Sequence, residues 1–132
     1  LKENIMINVD NEFSKTKDGV WVEFEGSRFL IAHMSNLRFQ RKLANLRQPH
    51  LSKINRNTID PKLSQEITCK AMAGTILLSW DQVVNNVGEK VEFTEELAAS
   101  VLIKQPDVRE FVSDYAVNLE HFRDDQIEQT GN

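Results

Sequence analysis

Three histidines and one cysteine are the side chains in this sequence best suited to metal, nucleophilic or redox chemistry. Their spacing gives them little to work with. His33, His50 and His121 have no near-sequence partner at metal-ligand spacing, and Glu120-His121 lacks the second histidine that a zinc-binding helix requires. Cys69 is alone, which removes a disulfide framework and any cysteine-rich zinc site, and it sits among apolar positions where a thiol is buried and inert. The acid pairs Glu95/Glu96 and Asp124/Asp125 are adjacent, so on a helix they diverge by about 100° and serve as capping or solvated charges rather than a clasp. The glycines at 19, 26, 74, 88 and 131 are scattered and form no phosphate-cradling loop. No catalytic, cofactor-binding or metal-binding residue is assigned, no cofactor is expected, and the chain is not read as an enzyme. A histidine–carboxylate site assembled in space is the one arrangement this spacing leaves open.

The charges are more informative. Sixteen bases against twenty acids give a formal net charge of −4, but the distribution is uneven. Residues 38–62 carry seven bases (Arg38, Arg41, Lys42, Arg47, Lys53, Arg56, Lys62) against Asp60 alone, and residues 81–132 carry four bases against twelve acids. Such a division bears on association rather than on fold. Basic and acidic helices lying side by side would neutralise each other; a basic face would take an acidic partner; unlike patches would support head-to-tail self-association. Nucleic acid is a poorer fit, because no aromatic stacking platform accompanies Arg38, Arg41 and Lys42 and the rest of the chain repels phosphate.

These residues need a scaffold. A length of 132 residues fits one domain, and 40% hydrophobic content sets the chain apart from disordered sequences. No apolar run approaches the roughly 18–20 residues of a membrane span, so no membrane partner is expected. The amino terminus lacks a cationic start leading into an apolar stretch, which points to a reducing cytoplasm rather than secretion. Residues 1–18 read as a flexible arm in which Ile5–Val9 could add an edge strand. Val20–Phe24 alternates, with Val20, Val22 and Phe24 on one face and Trp21 on the other; Gly26 and Ser27 supply a turn, and Arg28–His33 returns as a second strand. Asn36 caps a helix ended or kinked at Gln48-Pro49, and a short helix follows with Leu51 and Ile54 as its buried pair. Asp60-Pro61 opens a central helix expected to run to Leu78 or Trp80. Residues 81–93 form a loop or small hairpin, Thr94 caps a helix to Lys104, and Pro106-Asp107 opens a last helix whose stripe is Val108, Phe111, Val112, Tyr115, Leu119 and Phe122. The fold class is α+β: a mainly helical single domain over 19–123 with an N-terminal β-hairpin, followed by a polar tail at 124–132.

With these elements in order, the sequence resembles the tail assembly chaperone family of long, non-contractile-tailed bacteriophages. The resemblance runs from about Gly19 to Asn132. It rests on GVWVEFEGSRFLIAHMSNLRFQRKL, AMAGTILLSWDQV with its Leu-Leu-x-Trp helix end, the Gly88 loop leading to EFTEELAASVL, and PDVREFVSDYAVNLEHFR. Residues 83–91 are less typical of the family, and 1–18 lie outside the resemblance. It implies a non-enzymatic protein of the infected host's bacterial cytoplasm, absent from the mature virion. Such a protein binds and solubilises the tape measure protein while the tail tube assembles around it. A frameshifted longer product would recruit the major tail tube protein. A chaperone of this kind needs an apolar strip ringed by charge, and the residues assigned to partner binding are Trp21, Arg38, Arg41 and Lys42. The rival readings are a structural virion component (head–tail connector or minor tail protein) and a nucleic-acid-binding regulator.

Overall fold

In a computed structural model, which describes residues 6–10 and 12–124, an antiparallel sheet carries a layer of helices on one face. The sheet is built from β1 (Val20–Phe24), β2 (Ser27–Ile31) and β3 (Leu77–Asp81), with β2 in the middle. Val20 pairs with Ile31, Val22 with Phe29 and Phe29 with Trp80, so one face presents a continuous apolar surface. All of these side chains are buried. The β1–β2 turn is Glu25-Gly26, one residue earlier than the Gly26-Ser27 expected. Both residues have positive φ, 51° and 86°, the two-residue geometry whose twist matches the flanking strands. Ser27 already pairs with Phe24.

The helices are α1 (Lys15–Asp18), α2 (Leu37–Arg47), α3 (Leu51–Asn55), α4 (Pro61–Met72), α5 (Glu95–Lys104) and α6 (Pro106–Val117), with 3-10 turns at Gln48–His50 and Leu119–Phe122. Three caps form as their residue types dictate: Asn36 Oδ1 accepts from Phe39 N, Asp60 Oδ1 from Lys62 N and Thr94 Oγ1 from Leu97 N. Asn36 is buried and also donates to the carbonyls of His33 and Thr75, which fixes the start of α2 against the turn before β3. In spatial order α2 packs on α4, α4 on α5 and α5 on α6, while α6 also reaches β2.

The central helix is shorter than its apolar spacing predicts. It stops at Met72, and the residues expected to extend it form β3 instead. Gly74 takes φ +84° and Thr75 Oγ1 donates back to the Ala71 carbonyl, closing the helix, and Leu77 to Asp81 enter the sheet with Leu77 and Trp80 buried. The Leu-Leu-x-Trp segment is therefore a strand, not a helix end. Smaller departures follow the same logic. Leu51 is exposed rather than half of a buried pair, and Leu119 lies in the 3-10 turn and is also exposed. Met6–Val9 forms no strand and leaves Met6, Ile7 and Val9 exposed; Ile5 lies outside the described residues.

One expectation about connections is met and one is corrected: residues 12–18, read as part of a flexible arm, contain α1 and are held by hydrogen bonds. Residues 83–91 make a small hairpin, with Val91 N donating to the Val83 carbonyl, and Trp80 Nε1 donates to the Val91 carbonyl to hold it on the core. Residues 12–18 lie against Asp124 and the end of the first hairpin: Ser14 N and Oγ both donate to Asp124 Oδ1, Asp124 N donates to the Glu12 carbonyl, and His33 N donates to the Thr16 carbonyl. The polar tail beyond Asp124 lies outside the described residues.

Candidate functional site

The four residues assigned to partner binding fall in three places. Trp21 is on the sheet face turned away from the helices, half-buried, with the Arg28 guanidinium 4.8 Å above its indole ring. That contact is a cation–π pair between neighbouring strands and occupies one side of the ring. Arg38 and Arg41 are exposed on α2 and line a groove of about 480 Å³ with Lys17 and Leu37. Arg38 donates to the Lys17 carbonyl at 3.0 Å, which ties α2 to α1.

Lys42 points elsewhere. Its ammonium donates to the Ala73 carbonyl at 2.6 Å and to Glu95 Oε1 at 3.0 Å, so it joins α2 to the end of α4 and the start of α5. Glu95 sits over Gly74, where a Cβ would lie 2.6 Å from its carboxyl carbon. Lys42 thus belongs to a knot of three elements, and it forms one wall of a different groove.

That second groove, about 460 Å³ and open to solvent, lies between α2, α4 and α5. Leu46, Ala99 and Ile103 supply its apolar floor, and Lys42, Lys70 and Lys104 stand around it with Glu95 and Glu96. Residues 42/46 and 99/103 are pairs four apart, each on one face of its helix. Ala98 and Leu102 on α5 are fully buried, so the stripe Ala99–Ile103 is additional to what the core consumes. Sequence reasoning assigned Lys42 but missed Leu46, Lys70, Ala99, Ile103 and Lys104. The signal was an apolar stripe on α5 wider than one neighbouring helix needs.

The chemically competent side chains are held in packing roles. Cys69 is buried and its thiol is pushed above the ordinary range by desolvation, with the nearby Arg109 guanidinium pulling the other way. Arg109 itself donates to the carbonyls of Leu102 and Ile103 and closes the carboxyl end of α5. His33 Nδ1 accepts from Ser35 N, its ring meets Phe122 edge-on at 5.2 Å, and burial lowers its pKa against a backbone hydrogen bond with Val117. His121 stacks on Tyr115 at 3.9 Å. Among the described residues no three His, Cys, Asp or Glu side chains converge as a metal site, and no helix is long and apolar enough to cross a membrane.

Comparison with known proteins places the chain. The sequence model of the YdaY prophage protein family matches residues 34–132, well over half of the chain. The chain belongs to that family. Its origin is therefore phage, the coarser part of what the resemblance implies. The matched stretch begins two residues before the α2 cap and includes α2, α4 and α5 with the groove between them, while the β1–β2 hairpin lies outside it. No curated protein and no solved structure matches the chain.

Proposed function

We propose that this prophage protein is a non-enzymatic tail assembly chaperone that binds the tape measure protein and keeps it soluble in the host cytoplasm while the tail tube forms. The observation that carries the reading is the α2–α4–α5 groove, whose apolar floor ringed by three lysines and two glutamates suits an amphipathic helix with charged flanks. A client held this way is released when tube subunits compete for it, because the floor is shallow and the rim solvated. Family membership supports a phage role, and the sequence resemblance supplies the client. Recruitment of the tail tube protein by a longer product belongs to the same proposal.

The test is co-expression with a phage tape measure protein. A soluble complex is expected with the native chain. Ala99→Asp or Ile103→Asp, each placing a charge on the groove floor, should weaken that complex about tenfold or more without unfolding the domain. Failure to co-purify, or full binding by both variants, overturns the reading. So does a stoichiometric band of this chain in purified particles, which would make it a structural virion component.

A further inference from the structure

Helices α2 and α6 are the two ends of the packed series α2–α4–α5–α6, and each turns one face outward. On α2 that face holds Leu37, Arg38 and Arg41, all exposed. On α6 it holds Asp107, Glu110, Asp114 and Val117, also exposed and spaced at three and four residues along one side. Among the described residues, Lys42 alone of the seven bases in 38–62 forms an ion pair, and the acids of α6 form none. Among the described residues the Lys42–Glu95 pair is the one ion pair that joins the basic segment to the acidic one.

We infer that the outer face of α2 docks antiparallel on the outer face of α6 of a second copy, so that protomers join head to tail. Leu37 to Arg47 and Asp107 to Val117 each cover about 15 Å of helix. Run antiparallel, the two faces set Leu37 against Val117, and Arg38 and Arg41 against Asp114 and Glu110. The two apolar members are large and solvent-facing in the single chain, 65% and 61% exposed, and each covers the other in the pair. The contact continues the helical layer from one protomer into the next. Being heterologous, it leaves a free α2 at one end and a free α6 at the other, and builds a chain or a ring rather than a closed dimer. This face is distinct from the client groove, and the inference stands whether or not that groove binds a tape measure protein.

Sedimentation velocity of the purified chain tests it with two charge-reversed variants, Arg38→Glu/Arg41→Glu and Glu110→Lys/Asp114→Lys. The native chain should self-associate with rising concentration and dissociate towards monomer near 1 M salt, where screening acts within about 3 Å. Each variant alone should associate about tenfold or more weakly, because its two faces now carry like charge. Mixed together, the variants should recover assembly, since each basic face again meets an acidic one. The milder Arg41→Gln and Glu110→Gln should weaken association in the same direction, and circular dichroism of all variants should match the native fold. A native chain that stays monomeric, a reversal that leaves association unchanged, or a mixture that does not recover would overturn the inference.

Discussion

A lysine on a helix surface is a solvated charge until a neighbouring element offers it an acceptor. Lys42 has two, the Ala73 carbonyl at the end of α4 and Glu95 at the start of α5, whereas Arg41 one residue earlier has none among the described residues. Periodicity treats both as one basic face; the position of α4 and α5 separates them. His33 shows the same dependence on surroundings and yields a pH prediction. Burial lowers its pKa below the ordinary 6.5, so below that value the unfolded chain binds the proton more readily than the folded one. Its stabilising contribution is complete above pH 6.5 and shrinks as pH falls through 6.5 toward the lowered folded value. Thermal melts should show a drop in stability between neutral pH and about pH 5 that is shallower in His33→Gln. Equal slopes would mean that the imidazole titrates alike in both states.

At the scale of elements, the decisive event is the switch from α4 to β3. Apolar spacing runs without a break from Ile67 to Trp80, and either a longer helix or a helix-plus-strand satisfies it locally. Gly74 tips the balance, because its left-handed backbone ends α4 and its missing Cβ leaves room for Glu95. Gly74→Ala should cost about 1–3 kcal/mol in urea unfolding, combining backbone strain with displacement of Glu95 from Lys42. Gly26→Ala is the matched control: its φ is +86° but nothing lies within 4 Å of the added methyl, so only the backbone cost of about 1 kcal/mol applies. Adding Glu95→Ala to Gly74→Ala should remove the additional penalty, since the carboxyl that the methyl strikes is gone. A double variant no more stable than Gly74→Ala would place the whole cost in the backbone.

At the scale of the whole molecule, residues 12–18 meet the segment that leads to Asp124. Asp124 accepts from Ser14 N and Oγ and returns a hydrogen bond to the Glu12 carbonyl, which closes residues 12–18 over the 3-10 turn at Leu119–Phe122. These bonds are exposed, so each adds little, and removing their shared acceptor should act locally. Asp124→Asn should leave the melting temperature nearly unchanged while speeding amide hydrogen exchange at Ser14 and Asp124. Unchanged exchange would show that packing of α1, not Asp124, holds the segment.

The residue types by themselves determined the elements whose signals are local: the β1–β2 hairpin, the caps at Asn36, Asp60 and Thr94, the proline-started helices, and the division of charge between residues 38–62 and 81–132. Each depends on neighbours within a few residues, where hydrogen-bonding geometry and side-chain period are fixed by covalent structure. Tertiary structure decided the rest. It turned Leu77–Asp81 into the third strand, because only pairing with β2 rewards that conformation. It parted Lys42 from Arg38 and Arg41, and it opened the groove floored by Leu46, Ala99 and Ile103 between helices far apart in sequence. A groove is a property of the distance between elements. No spacing within one element encodes it.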